Sequence, residues 1–453
     1  MSGQPKTEPI PVGSVADLVA FARAGEKPRA AWRVGTEHEK IGLRLADRRP
    51  VPFEGENGIE GVLAAVAAEG GWSELRENGA LVALEGESGS ITLEPGGQLE
   101  LSGAPLRTIF ETCAELHQHL DLIRRVSEPR GIVWLSLGAN PLHDVDEMPR
   151  VPKARYAVMR RYLPAKGELA MHMMHLSATV QANLDYSSEA DMAAKLRTAM
   201  GVSPIVSALF ANSPLHLGKP SGYITRRVHI WRQVDPERCG MLPFVFEPGL
   251  GYEKYVQWAL DVPMFFVLHD GEYRQVNGFS FRRYLAEGHE GKRATLQDWN
   301  LHLTTLFPEV RLKQFLEVRG ADAVPASLTC ALPALWKGIL YDDDACRAAW
   351  RLVAAWPFAE REAALEAVAR RGLAAEVAGR PVLPLARELV EIARGGLARI
   401  GDGGGGGEID ERGFLDPLSA VAERGRSPGE EVLAQWEGVW RGSPERLIEY
   451  SRY

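Results

Sequence analysis

Val34-Gly-Thr-Glu-His-Glu-Lys-Ile-Gly-Leu43 lies at the centre of a longer stretch, residues 32–45, that alternates as a β-strand does. With a side-chain period of two, Trp32, Val34 and Thr36 fall on one face, and Arg33, Gly35, Glu37, Glu39, Ile41 and Leu43 on the other. The second face thus carries two carboxylates. Glu94 and Glu100 lie near and within another strand, the one carrying Gln98-Leu-Glu-Leu101, and Glu317 sits between Leu316 and Val318 in a third, residues 315–319. If these strands share one sheet, their oxygens converge into the all-oxygen shell that a hard cation such as Mg²⁺ takes, with room for phosphate and water. Several carboxylates buried together repel one another unless a cation lies between them. The same residues also suit the solvated outer face of an antiparallel sheet, a reading least comfortable for Glu317 in its apolar run.

Arginines supply the complementary charge. Arg155 lies in Lys153-Ala-Arg-Tyr-Ala-Val-Met-Arg160, Arg227 in Thr225-Arg-Arg-Val-His-Ile-Trp231, and Arg319 follows Glu317 on the same strand face. A planar guanidinium grips carboxylate or phosphate through two donors. Taken alone, Arg155 and Arg160 fit a helix surface better. Residues 177–186 alternate too, setting Gln181, Asn183 and Asp185 against Val180, Ala182 and Leu184. His172-Met-Met-His175 has a helical spacing open to a transition metal, although the two methionines favour a core-facing segment.

Around these strands the chain reads as α+β. Ser14 and Asp17 form a capping box opening a helix over 14–25, an Ala-rich helix covers 58–70, and a long amphipathic helix runs from about 105 to 128. Residues 132–137 read as a buried strand, Ser188 and Asp191 cap the next helix, and Pro204 suggests the first turn of a separate one. Residues 264–276 read as a hairpin turning at Asp270-Gly271, and from about 340 the chain becomes helical, broken by the linker-like Gly401–Gly407 run. Without strict βαβ alternation, an antiparallel or mixed sheet is expected.

Composition excludes several classes. Of 453 residues, 52 are Lys or Arg and 60 Asp or Glu, for a net charge of −8, so no basic surface for nucleic acid is expected. No apolar run approaches the ~20 residues of a membrane span, and residues 1–10 resemble neither a signal nor a transit peptide, so a cytoplasmic chain is expected. The four cysteines, Cys113, Cys239, Cys330 and Cys346, show no C-x-x-C spacing, as suits a reducing compartment. Phosphate-loop, zincin, nucleophile-elbow and EF-hand signatures are all missing from the sequence.

Three motifs carry a specific resemblance: Val34 to Leu43 as quoted, Leu93-Glu-Pro-Gly-Gly-Gln-Leu-Glu-Leu-Ser-Gly-Ala-Pro105, and Leu316-Glu-Val-Arg-Gly-Ala-Asp322. Further matches are Ala211-Asn-Ser-Pro214, Gly240-Met-Leu-Pro-Phe-Val-Phe246, Ala259-Leu-Asp-Val-Pro-Met264 and the stretch from Asp298 to Leu312. Over roughly residues 30–450 the chain resembles the plant-type glutamate-cysteine ligases of plants and many proteobacteria.

The resemblance implies a glutamine-synthetase-like carboxylate-amine ligase fold, a sheet funnel surrounded by helices. It would form a single catalytic domain over 1–453, with an N-terminal segment at 1–30 and a helical part from about 340. The implied partners are ATP, L-glutamate and L-cysteine, with Mg²⁺ as cofactor, and the product γ-glutamylcysteine opens glutathione biosynthesis. A related ligase with another amine acceptor is the alternative. By position, Glu37, Glu39, Glu100 and Glu317 form the implied metal set, with Glu94 as a further member. Arg155, Arg227 and Arg319 would handle substrate carboxylate or phosphoryl groups, and Gln181 and Asn183 would complete the metal shell or substrate pocket. On that reading Glu37→Gln and Glu317→Gln weaken Mg-ATP use and leave the fold intact. No partner membrane or nucleic acid is implied, and the assembly would be a monomer or homodimer. Plant members carry a regulatory cysteine pair around the hairpin, where Tyr273 to Phe279 has no cysteine. Cys113 and Cys330 match positions that form another disulfide in some plant enzymes, and in a reducing cytoplasm two free thiols are expected.

Overall fold

The computed structural model describes residues 10–87, 89–269, 272–276, 278–402 and 409–453. The expected turn at Asp270-Gly271 and most of the Gly401–Gly407 run lie outside them. Among the described residues the principal sheet has nine strands: β1 (Val34–Arg44), β2 (Ser73–Glu77), β3 (Ala80–Glu85), β4 (Ser90–Leu93), β5 (Leu99–Ser102), β6 (Ile132–Leu135), β7 (Thr179–Leu184), β8 (Val310–Leu312) and β9 (Leu316–Asp322). Their order is β8-β9-β7-β1-β5-β4-β3-β2, and β6 pairs with the far end of β1. Every pairing in this sheet is antiparallel. β1 therefore sits at the centre, with Glu37 opposite Gln181 on one side and Ser102 on the other.

The helices that position the site are α1 (Val15–Arg23), α2 (Ile109–Ser127), α3 (Ala154–Tyr162), α4 (Ala170–Leu176), α5 (Glu189–Leu209), α6 (Arg226–Trp231) and α7 (Ala326–Leu340). Val34, Val180, Ala182, Leu184, Leu316 and Val318 are buried in the largest core cluster, together with residues of α5 and α7. Alternation then turns Glu37, Gln181, Asn183 and Glu317 to the opposite face.

Two expectations change. Pro204 does not open a helix but lies inside α5, which runs unbroken through it. Every residue from Thr198 to Leu209 is buried, and packing on all sides offsets the roughly 3 kcal/mol that an interior proline costs. Cys113 on α2 and Cys330 on α7 are not free thiols: the two are joined in a disulfide, with Cα atoms 5.4 Å apart, because α2 and α7 meet behind β1 beside Thr36 and His38. The bridge closes a 217-residue separation. Reduction, or Cys113→Ser, is expected to lower the unfolding free energy by about 2–4 kcal/mol, read from urea curves with and without reductant. Coincident curves, and no linked Cys113/Cys330 peptide after digestion without reductant, would restore the free thiols.

Candidate active site

The face of the sheet away from α5 and α7 forms the floor of a pocket lined by Glu37, Glu39, Glu94, Glu100, Arg155, Gln181, Arg227 and Arg319. β1 and β5 place Glu39 directly opposite Glu100. Like charges facing each other across a ladder destabilise a sheet. Thr92 Oγ1 and Ser102 Oγ donate to the two Glu100 oxygens at 2.6 and 3.1 Å, and the backbone N–H of Thr179 donates to Glu39 at 3.0 Å. Burial, then the Glu94 and Glu100 carboxylates, push the Glu39 carboxyl well above its usual range. Glu37 is likewise raised by burial and by Glu317 and Glu100.

Glu317 has a different environment. It is fully buried, and its oxygens meet Arg311 at 2.6 Å, Lys313 at 3.0 Å and Arg319. Burial alone would raise its carboxyl, but Arg311, Lys313 and Arg319 outweigh that and hold it well below the carboxylate range. Glu317, expected in the metal set, is here the counter-ion of three cations. A register shift between Val318 and Ala321 lifts Arg319 out of the ladder, so that it also donates to Gln181 Oε1 at 2.8 Å and faces Trp231 and Phe307.

Asn183, expected to complete the metal shell or the substrate pocket, is not among the residues that line the pocket, and its Nδ2 donates to Glu37 Oε1 at 2.8 Å. Arg227 is buried on α6 and donates through Nη2 to the Arg319 carbonyl at 3.0 Å. Its segment is held by Asp322, which accepts from the hydroxyls of Ser213 and Thr225 at 2.7 and 2.9 Å. Arg155 on α3 reaches Thr304 at 3.4 Å.

Several lining residues carried no assignment from sequence: Lys153, Thr92, Trp231, Arg311 and Lys313. Lys153 is buried, donates to the Leu93 carbonyl at 3.1 Å, and has an ammonium pulled down to about 8 by burial. Arg311 and Lys313 were legible in one respect, since they alternate with Val310 and Leu312 and so share a strand face. What they face was not.

Glutamate-cysteine ligase family 2 matches residues 33–450, nearly the whole chain. The chain belongs to that family. It is 42% identical to the chloroplastic glutamate–cysteine ligase of Medicago truncatula over 99% of this chain and 86% of that protein. The chloroplastic glutamate–cysteine ligase of Arabidopsis thaliana is also 42% identical, over 99% of this chain and 84% of its own. The crystal structure of a glutamate–cysteine ligase from Francisella tularensis in complex with AMP superposes with a TM-score of 0.55 at 12% identity, covering 93% of this chain and 87% of that one. The ligase fold expected from the motifs, helices around an antiparallel sheet, is the fold observed. These plant relatives are named as chloroplast proteins, which overturns the expectation of a cytoplasmic chain. No described helix of this family member is long and apolar enough to cross a membrane.

Proposed function

We propose that the chain joins the γ-carboxylate of L-glutamate to the amine of L-cysteine at the expense of ATP, giving γ-glutamylcysteine, ADP and phosphate, the first step of glutathione biosynthesis. The observation that carries this reading is the opposed Glu39–Glu100 pair on the floor of a pocket walled by Arg155, Arg227 and Arg319. A carboxylate resists attack by an amine because oxide is a poor leaving group. Transfer of the γ-phosphoryl group to the glutamate oxygen gives γ-glutamyl phosphate and ADP. The cysteine nitrogen then attacks the carbonyl carbon and gives up a proton to solvent, the C–O bond breaks, and phosphate leaves with the electron pair.

The chain's own part is positioning and charge. Arg227 and Arg319, linked through the Arg319 carbonyl, present guanidiniums to the oxygens that gain charge during transfer. Arg155 and the Lys153 ammonium extend this cationic wall, and Trp231 and Phe307 shield one side of Arg319 from water.

The residues also suit a divalent cation. Glu37 and Glu39 are raised by burial and by neighbouring carboxylates, and a cation among them relieves both costs. Glu37, Glu39 and Glu100 would hold Mg²⁺, with Glu94 as a fourth lining carboxylate. When bound, it supplies charge neutralisation to the phosphates. Asn183 orients Glu37, and Gln181 orients Arg319. The largest core cluster draws residues from Val12 to Ala422, beside two smaller clusters, which supports reading the chain as one catalytic unit.

The test is phosphate release from purified protein with Mg-ATP, omitting glutamate, cysteine or Mg²⁺ in turn. Release that needs all three, with γ-glutamylcysteine identified by mass, is the expected outcome. Release with glutamate and a different amine would move the acceptor, and no turnover under any combination would defeat the proposal.

A further inference from the structure

His172 was marked in the sequence for its spacing to His175, but the structure separates the two. His175 turns its Nδ1 to the Met171 carbonyl at 2.9 Å within α4. His172 instead meets two residues from distant segments. Its Nε2 lies 3.2 Å from Asp144 Oδ1, in the loop after β6, and His216 Nε2 lies 4.0 Å from Asp144 Oδ2. His216 is in a short two-stranded ribbon, Leu215–His216 with Lys219–Pro220. One ligand atom from each of the three residues falls within 4.8 Å of the other two.

From this juxtaposition we infer a second metal site, in which His172, His216 and Asp144 bind a transition-metal dication of the Zn²⁺ class, apart from the catalytic carboxylates. Two imidazole nitrogens and one carboxylate oxygen, with a position left to water, are a donor set that Zn²⁺ accepts, whereas Mg²⁺ prefers oxygen alone. The rings are presented in the required sense. Both Nδ1 atoms are buried without a hydrogen-bond partner, and the Nε2 atoms face the carboxylate. The side chains of His172, His216 and Asp144 are 22, 25 and 43% exposed, so an ion can enter from solvent.

Ligation needs unprotonated imidazoles. Burial, and after it the Arg226 guanidinium, lower both histidines against the Asp144 carboxylate, which raises them. The same guanidinium opposes a dication, which places the expected affinity in the micromolar range rather than that of a closed structural site. An ion there would tie α4, whose Met173 and Met174 line the catalytic pocket, to the loop after β6 and to the ribbon.

The test uses the full-length chain, oxidised, in excess Mg²⁺ to occupy the carboxylate pocket. Zn²⁺ is titrated against a colorimetric chelator, and Co²⁺ is followed by its visible absorption. Wild-type protein is expected to bind one Zn²⁺ with a micromolar Kd, His172→Ala and His216→Ala to weaken it at least tenfold each, and Cys113→Ser to leave it unchanged. The three residues are partly exposed, so circular dichroism of the metal-free variants should match wild type. No saturable binding up to about 100 µM Zn²⁺ would overturn the inference. So would binding that survives the double His172→Ala/His216→Ala variant or disappears with Cys113→Ser.

Discussion

Glu317→Gln is expected to lower the unfolding free energy by about 3–5 kcal/mol and to abolish measurable ligation, because it removes the carboxylate shared by Arg311, Lys313 and Arg319 and leaves buried cations uncompensated. This revises the simpler expectation of weakened Mg-ATP use in an intact fold. The pH dependence follows from the direction of the shift. Glu317 is held below its unfolded range by the three cations despite burial, so its contribution is complete above about pH 4.3 and is lost as pH falls through the lower folded value. The gap between wild type and Glu317→Gln in urea midpoints should therefore be full at pH 7 and narrow only under acid. A variant that unfolds at the wild-type urea concentration and uses ATP normally would remove Glu317 from the centre of the cationic cluster.

Glu39→Gln should do the reverse to stability and similar damage to activity. Its turnover is expected to fall by about 10²–10³, the usual scale for losing one preorganised group that stabilises transition-state charge. Yet the metal-free variant should melt no lower than wild type. Burial and the Glu94 and Glu100 carboxylates raise Glu39, so its ionisation opposes the fold: stability contributed by the protonated form is complete below the unfolded value and is lost as pH rises through the raised folded one. A neutral amide in its place carries no such penalty. Added Mg²⁺ should raise the melting temperature of wild type and do so less in the variant, in keeping with an ion that binds only the native state. Full activity with an unchanged Mg²⁺ response would sink the assignment. The contrast between the two variants is the sharper test, since both remove one carboxylate from the same face of one sheet.

Much of this site was legible in the amino-acid order. The period of two put Glu37 and Glu39 on one face of β1, and set Gln181 and Asn183 against Val180 and Ala182, because side-chain direction along a strand is a local property. The capping box at Ser14 and Asp17 was equally local and is present in the structure. Whether the carboxylate face pointed to solvent or inward was not a local matter, and the residues alone left both open.

What the tertiary structure decided was which groups meet. Arg319 shared a strand face with Glu317 in the sequence, but only the pairing of β8 with β9 brought Arg311 and Lys313 onto the same carboxylate. Asn183 became a support for Glu37 because β7 lies beside β1. Cys113 met Cys330 across 217 positions, and His172 met His216 and Asp144 rather than its near neighbour His175. The sequence by itself determined the strands, which side chains share a face and the family to which the motifs belong, since these rest on short-range periodicity and on residue order. Charge partners, the disulfide and the second histidine cluster depend on contacts between segments far apart in the chain, and no local pattern encodes which distant segment folding will bring alongside.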